Sequence, residues 1–242
     1  MTSTDDLEFK PSKLGTKDHW DKVYENELVN FEEIGDEGEI CKLNANRRTR
    51  FGQESVEKLV DWALAHVPPS AGKSILEIGS GNGTLLIALA EAGYPTTHLS
   101  GIDYSSDAVK LSKAVASSRG TQGITFAECD FLSEDPPRLV LEDDADGWDA
   151  MMDKGTFDAI ALAPPGDDGK PLIEGYPSRV SQLLRSGGYF LITSCNFTEE
   201  ELKARFITSA TGLTYHSSIK YPVFSFGGQR GSSYASIAFQ KS

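Results

Sequence analysis

The chain has 242 residues, of which 39% are hydrophobic and 24% charged, and its formal net charge at pH 7 is −13. This length and composition are typical of a globular protein with a large core. An acidic chain repels the phosphate backbone of nucleic acids, so we expect no nucleic-acid partner and favour a basic protein partner. The alternative is that the charge only confers solubility.

No apolar run is long enough to cross a membrane, and the first residues lack the apolar stretch of a secretory signal. We therefore expect a cytoplasmic protein without a membrane partner. Cys41, Cys129 and Cys195 are scattered and form no C-x-x-C pair. This spacing argues against a zinc site and against a disulfide framework, so we expect no metal site.

Residues 1–55 are predicted to form an N-terminal extension, followed by a globular domain over residues 56–242. Apolar side chains recur every three or four positions over residues 17–31, which predicts an amphipathic helix there. A second helix is predicted over residues 55–67, where two prolines end it.

From residue 73 onward, strand and helix patterns alternate along the chain. This alternation predicts an α/β fold, a doubly wound and mostly parallel seven-stranded sheet with helices on both faces. The last two strands are consecutive, which predicts a closing hairpin with one antiparallel strand. The predicted strands cover residues 74–78, 98–102, 124–128, 148–152, 189–194, 215–221 and 233–240, and the helices cover residues 84–92, 106–118, 175–185 and 198–209.

The first strand of this pattern leads into the string ILEIGSGNGTLL. Gly79, Gly81 and Gly83, with Asn82 between them, allow a tight turn and a close approach of a ligand to a helix N-terminus. The spacing G-x-G-x-G differs from the dinucleotide pattern G-x-G-x-x-G. Glu77 stands inside the strand, where a nicotinamide site favours an apolar residue. An acid there suits S-adenosylmethionine, which carries a sulfonium and an ammonium and no phosphate.

The next two strands each end at an acid. Asp103 ends the second strand, beside Tyr104, and is expected to accept hydrogen bonds from both hydroxyls of a ribose. Asp130 follows the third strand and is expected to accept from an adenine amino group, with Phe131 packed on the ring. A helix cap is the alternative for Asp103, and an ordinary loop acid is the alternative for Asp130. Their register with Glu77 favours the binding interpretation.

Together these motifs resemble the seven-stranded class I methyltransferases. The strings KLGTKDHWDKVYENELVNF, ILEIGSGNG, GIDYS, DKGTFDAIAL, FLITSCNFT and YPVFSFGG resemble, more narrowly, the lysine methyltransferases that modify translation elongation factor 1-alpha. The narrower resemblance extends from Lys13 to Lys241. It implies an S-adenosylmethionine cofactor and a basic protein substrate, elongation factor 1-alpha.

The chain departs from the family pattern at residues 41–50, where the string CKLNANRRTR stands in place of a tryptophan. The resemblance implies that this region covers the cofactor and shapes the channel for the acceptor. The region that covers the cofactor is therefore where this chain is expected to differ from the family. Trp20 is expected to close over the cofactor from the N-terminal helix, and core packing of that helix is the alternative.

The string DKGTF follows the fourth strand, and Asp153 is expected to face the crevice as the catalytic residue, orienting the lysine amine or accepting its hydrogen. The alternative is a hydrogen-bonded turn that only shapes the pocket. Asn196 and Phe197 follow the fifth strand and are expected at the crevice rim. Phe197, Phe224 and Phe226 are expected to wall an aliphatic lysine channel, with aromatic core as the alternative for each.

Two other functions stay open on the sequence alone. The first is a small-molecule N-methyltransferase, which would methylate a free amine. The second is a non-catalytic isoform that keeps the fold and uses residues 41–50 for partner contact. We expect a monomer.

Overall fold

The computed structural model describes residues 10–35, 52–141, 147–226, 229–232 and 234–242, and of residues 223–226 and 229–232 it describes the backbone. The departure at residues 41–50 lies outside the described residues. The predicted boundary between residues 55 and 56 falls inside the second helix, and the division into two units stays a prediction.

The described residues contain helices on both sides of a central sheet. The α-helices are α1 (Lys17–Ile34), α2 (Gln53–His66), α3 (Thr84–Glu91), α4 (Ser106–Ser118), α5 (Thr156–Ala161), α6 (Tyr176–Leu183) and α7 (Glu199–Phe206). The strands are β1 (Ile75–Ile78), β2 (Leu99–Asp103), β3 (Thr125–Glu128), β4 (Trp148–Lys154), β5 (Leu184–Ser194), β6 (Leu213–Ile219), β7 (Val223–Phe226), β8 (Gln229–Ser232) and β9 (Ala235–Lys241).

Seven strands form one sheet in the order β3-β2-β1-β4-β5-β9-β6, and β7 and β8 form a separate two-stranded sheet. The pairs from β3 to β5 are parallel, whereas β9 runs antiparallel to both β5 and β6. The predicted seven-stranded sheet with one antiparallel strand is confirmed. The chain winds outward from β1 to β3 and then returns to β4, so the switch point lies between β1 and β4. Ligands of such sheets bind outside the carboxyl ends of the strands at this point.

Side chains alternate between two hydrophobic cores, one on each face of the sheet. Met152 packs in the core covered by α1 to α4, and its neighbour Met151 packs in the core covered by α5 to α7. Leu59 and Trp62 of α2 contribute to the first core. None of the described helices is both long enough and apolar enough to span a membrane.

The structure departs from the predicted elements after β4. That strand continues to Lys154 because Asp153 and Lys154 pair with Ile192 and Thr193 of β5. A six-residue helix, α5, follows where no helix was predicted. It is too short to show a helical period in the sequence. The β7–β8 hairpin lies after β6, between the last two predicted strands, where no element was predicted.

Candidate active site

A cavity of about 410 Å³ lies at the carboxyl ends of β1 to β4, next to the switch point. This volume lies within the range of small-molecule and cofactor sites. Its walls come from the strand ends, from α5 and from the N-terminal segment. They include Gly15, Lys17, Trp20, Tyr24, Ile78, Gly79, Ser80, Gly81, Asn82, Asp103, Tyr104, Cys129, Asp130, Phe131, Leu132, Lys154, Thr156, Ala159, Ile160, Ala163 and Leu172.

The glycine loop after β1 forms the floor of the cavity, and its glycines are required by space as well as by conformation. Gly79 has a φ of 67°, and a Cβ there would lie 1.9 Å from Oγ1 of Thr156. Gly81 has a φ of 54°, and a Cβ there would lie 2.6 Å from the hydroxyl oxygen of Tyr24. Larger residues rarely adopt these φ values. The loop is therefore held close to both α5 and α1.

Asp103, at the end of β2, combines deep burial with a position in the cavity wall. Its carboxylate accepts hydrogen bonds from the backbone N–H of Gly81 and of Ser105, each at 3.0 Å. Burial raises the pKa of Asp103 to about 6, although these two donors act in the opposite direction. The carboxylate is thus fixed against the glycine loop, as binding to a ribose requires.

Glu77 lies in β1 with only 1% of its surface exposed, and it is not among the described residues that line the cavity. Its Oε2 has no hydrogen-bond partner in the described part of the chain. Burial raises the pKa of Glu77 to about 8, while the charge of Lys154 lowers it and the charges of Asp153 and Asp103 raise it. A buried carboxylate oxygen without a partner suits a cationic group of a ligand.

Asp130 and Phe131 line the cavity after β3, together with Tyr104 after β2. Asp130 is exposed, and its carboxylate accepts from the backbone N–H of Leu132 at 3.1 Å and from the hydroxyl of Ser133 at 2.7 Å. Phe131 is buried. The structure places these three residues together, as the sequence predicted, and their roles in binding stay predictions.

The N-terminal segment forms a further wall of the cavity. Trp20 and Tyr24 of α1 line it with stacked rings whose centroids are 6.1 Å apart, and Nε1 of Trp20 donates to the carbonyl of Leu14 at 2.8 Å. The turn before α1 reaches across to the end of α5, where the N–H of Ser12 donates to the carbonyl of Leu162 at 3.0 Å. The segment before α1 is therefore joined to the end of α5.

Comparison with known proteins identifies the fold and the family. Residues 69–228 match a family described as "Methyltransferase domain". A human protein named EEF1A lysine methyltransferase 2 is 41% identical over 233 residues, which cover 96% of this chain and 89% of the human chain. A Schizosaccharomyces pombe protein named protein-lysine N-methyltransferase efm4 is 41% identical over 241 residues, covering 95% and 94%. The chain belongs to this family of protein-lysine methyltransferases.

Solved structures support the same fold at low identity. The N-methyltransferase NodS of Bradyrhizobium japonicum aligns with a TM-score of 0.58 and 16% identity, covering 92% of this chain and 98% of NodS. The [4+2]-cyclase SpnF aligns with a TM-score of 0.62 and 14% identity, covering 96% of this chain and 97% of SpnF. Such likenesses concern the fold and not the activity.

In this methyltransferase Asp153 does not face the crevice, so that expectation is wrong. Its carboxylate is 1% exposed and accepts from the N–H of Thr156 at 2.8 Å, from the N–H of Phe157 at 2.9 Å and from the hydroxyl of Tyr176. Because β4 extends to Lys154, neighbouring side chains point to opposite faces, and Lys154 is the one that lines the cavity. These contacts agree with the alternative interpretation of Asp153, a hydrogen-bonded turn that shapes the pocket.

The predicted acceptor residues after β5 do not line the cavity either. Phe197 is only 4% exposed, and its ring centroid lies 5.0 Å from that of Phe157, so its placement in a channel wall is wrong and it belongs to the core. Asn196 is half-buried, and its Nδ2 donates to the carbonyl of Asp158 at 3.5 Å. Phe224 and Phe226 lie on β7, where only the backbone is described, so their role stays a prediction.

A second buried carboxylate, which the sequence analysis did not single out, ties α5 to the end of β5. Asp158 is fully buried and accepts from the hydroxyl of Ser194 at 2.5 Å and from the N–H of Cys195 at 2.8 Å. The Ser194 oxygen in turn accepts from the N–H of Phe197 at 2.9 Å. The strings DKGTFDAIAL and FLITSCNFT, which carry part of the family resemblance, are thus joined. The missed signal is the spacing of Asp153, just before α5, and Asp158 within it.

Proposed function

We propose that this methyltransferase transfers a methyl group from S-adenosylmethionine to a lysine side chain of translation elongation factor 1-alpha. The observation that carries the proposal is similarity over nearly the whole chain to relatives named for this activity, at 41% identity to the human and 40% to the mouse protein. The cavity at the switch point supports the cofactor part of the proposal.

The residues of the cavity fit this cofactor in shape and in charge. Gly79 and Gly81 let the loop backbone pack against α5 and α1 at the edge of the cavity, and Asp103 presents a fixed carboxylate for the ribose hydroxyls. Asp130 and Phe131 line the cavity at the end proposed for the adenine, and Trp20 is proposed to cover the bound cofactor. When bound, S-adenosylmethionine supplies a methyl group activated by its sulfonium.

The protein's own contribution is to present a neutral amine in line with that methyl group. A free lysine has a pKa of about 10.4, so removing its proton at pH 7 costs about 4–5 kcal/mol. Apolar wall residues such as Ile78, Ile102 and Ile160 exclude water and favour the neutral amine. Alignment of the two reacting groups then supplies a large part of the rate, so no nucleophile on the enzyme is needed.

We further propose a basic protein surface as the partner, because the chain carries 36 acidic against 23 basic residues. The same charge disfavours nucleic acid as a substrate. We propose that the enzyme acts as a monomer in the cytoplasm, where elongation factor 1-alpha is its substrate.

The test is methyl transfer from labelled S-adenosylmethionine to purified elongation factor 1-alpha, with the modified lysine located by mass spectrometry. Asp103→Ala should abolish transfer, whereas Asp107→Ala, at a half-buried position of α4 that does not line the cavity, should leave it unchanged. Label on free amines but not on the protein would favour the small-molecule alternative. A chain that binds the cofactor but transfers no label would favour the non-catalytic isoform.

A second chain, with residues 41–50 replaced by a single tryptophan, tests the departure from the family pattern. Equal rates from both chains would mean that the departure does not affect turnover. Transfer only by the replaced chain would identify this sequence as an inactive isoform.

A further inference from the structure

Arg179 of α6 binds the loop that follows β3, residues 129–135, which we call the β3 loop. Its Nε donates to the carbonyl of Phe131 at 3.1 Å. Its Nη2 donates to the carbonyl of Glu134 at 2.5 Å and to the carboxylate of Asp135 at 2.7 Å. Arg179 is not among the described residues that line the cavity, so any effect it has on the cavity is transmitted by this loop.

The β3 loop forms one wall of the cavity without being part of a helix or strand. Its hydrogen bonds to itself form a turn, in which the N–H of Glu134 donates to the carbonyl of Asp130 at 2.8 Å. The N–H of Asp130 in turn donates to Oε2 of Glu134 at 2.8 Å. Arg179 joins this turn to the body of the protein. The lining residues of the loop are Cys129, Asp130, Phe131 and Leu132.

The face of α6 that carries Arg179 also holds the ring of Phe131. The ring centroid lies 4.9 Å from that of Tyr176 and 6.0 Å from the guanidinium carbon of Arg179. Tyr176 and Arg179 are three positions apart on one helix, so they lie on the same face. Tyr176 also donates to Asp153, just before α5. One face of α6 thus fixes two parts of the cavity wall, the β3 loop and the start of α5.

We propose that Arg179 is a positioning residue for the adenine of the cofactor, because it sets the β3 loop on which Asp130 and Phe131 stand. This inference rests on the proposed function, which assigns these two residues to the base. A guanidinium presents its donors in a rigid planar fork, which here serves two carbonyls and a carboxylate together. A lysine ammonium is a point charge on a flexible stem and does not reproduce this fork.

The role of Arg179 predicts which step of the reaction depends on it. A loop that is not held in advance must be ordered when the ligand binds, and this cost lowers the affinity. The cost falls on contacts to the base, since Asp130 is the expected acceptor for the adenine amino group. Once the cofactor is bound, the loop is ordered in either case. The rate at saturating cofactor should therefore change little.

The experiment compares two ligands that differ in the base, with calorimetry on the full chain. S-adenosylhomocysteine carries adenine, whereas S-inosylhomocysteine carries hypoxanthine, with an oxygen in place of the amino group. Wild-type protein should prefer the first by about tenfold. Arg179→Met should weaken the first by about tenfold and the second by only about twofold, so that the preference falls to about twofold. The KM for S-adenosylmethionine should rise about tenfold, with kcat within about twofold.

Three further variants separate the fork from other effects of an arginine. Arg179→Lys keeps the charge and loses the fork, so it should weaken S-adenosylhomocysteine by about fivefold or more. Asp135→Asn removes an ion partner whose side chain is 81% exposed and should leave the affinity within about twofold. Arg205→Met is the matched control on α7, because its guanidinium carbon lies 5.2 Å from the ring centroid of Phe197, outside the cavity. It should leave both the affinity and the base preference unchanged.

Wild-type affinity in a folded Arg179→Met or Arg179→Lys variant would overturn the proposal. Equal weakening of both ligands would overturn it too and make Arg179 a structural residue only, as would a wild-type protein without preference for adenine. Wild-type protein that binds neither S-adenosylmethionine nor S-adenosylhomocysteine would instead reject the proposed function, and this inference with it. If Arg179→Met does not fold, Arg179→Lys makes the same comparison of ligands.

Discussion

At the scale of single residues, the site depends on positions where the surroundings restrict which residue type can stand there. Gly79 combines a left-handed φ with close contact to Thr156, whose hydroxyl donates to the carbonyl of Ile78 at 2.8 Å. Asp103 and Glu77 are buried acids whose surroundings differ. The first has two backbone donors, and the second has an oxygen without a partner among the described residues.

Gly79→Ala should lower the free energy of unfolding by about 2–4 kcal/mol, because the new Cβ meets Thr156 in addition to the strain of a positive φ. The matched control is Gly35→Ala, which has nearly the same φ of 68° and no atom within 4 Å of the new Cβ. It should cost only about 1 kcal/mol. Urea denaturation measures both, and equal losses would contradict the close contact.

The buried acids predict how the stability of the ligand-free protein depends on pH. Burial raises the pKa of Glu77 from 4.5 to about 8, that of Asp153 from 3.8 to about 7 and that of Asp103 from 3.8 to about 6. The folded chain therefore binds protons more tightly than the unfolded chain. Their stabilising contribution is complete below pH 3.8, the lowest of the unfolded values, and is lost as the pH rises to about 8.

We therefore expect the urea midpoint of the ligand-free protein to fall between pH 5 and pH 8. Glu77→Gln removes the group with the highest pKa, so its midpoint should change less between pH 6 and pH 8. The charges that act on Glu77 are those of Lys154, Asp153 and Asp103, and all three are retained in this variant. A wild-type midpoint that rises over this range would contradict the prediction.

At the scale of elements, two buried carboxylates, one before α5 and one within it, fix α5 in the cavity wall. Asp153 binds its first N–H groups, and Asp158 within it holds the end of β5. Thr156, Ala159 and Ile160 of the same helix line the cavity. A six-residue helix is marginal alone, so these buried carboxylates set the position of that wall.

Asp153→Ala should lower the free energy of unfolding by about 2–4 kcal/mol, because it leaves Tyr176 and two N–H groups without their acceptor. Methyl transfer should fall with it, since Asp153 positions the start of α5, which lines the cavity. Tyr176→Phe removes one donor and leaves the other two, so it should cost only about 1 kcal/mol. Thermal denaturation and turnover are measured for both variants. An Asp153→Ala variant that keeps full stability but loses turnover would restore a catalytic role for Asp153.

At the scale of the whole molecule, the net negative charge and the cofactor cavity are proposed to act on different partners. A net charge of −13 would attract a basic protein over a long range. The cofactor is held by contacts inside the cavity, where salt screens charges less than at the surface. The two binding events should therefore respond differently to ionic strength.

Raising the salt concentration from 0.05 M to 0.5 M should lower kcat/KM for elongation factor 1-alpha by about tenfold, while cofactor affinity changes by less than about threefold. Initial rates at saturating cofactor measure the first quantity, and calorimetry measures the second. A kcat/KM that does not depend on salt would mean that the charge serves solubility alone.

The sequence by itself determined the features that depend on neighbouring residues. The bounds of α4 agree with its predicted range, and α7 begins one residue after its predicted start, where Thr198 and Glu201 form a capping box. Gly79, Gly81 and Asp103 meet in the cavity as predicted, because strand ends in a parallel sheet share one edge.

Only the tertiary structure decided which side chains face that cavity. Lys154 and not Asp153 lines the cavity because pairing with β5 extends β4 by two residues beyond its predicted end, and alternation then assigns each side chain to a face. Phe197 belongs to the core because Ser194 and Asp158 turn its backbone inward. These placements depend on contacts between residues 36 or more positions apart, which no local pattern in the sequence records.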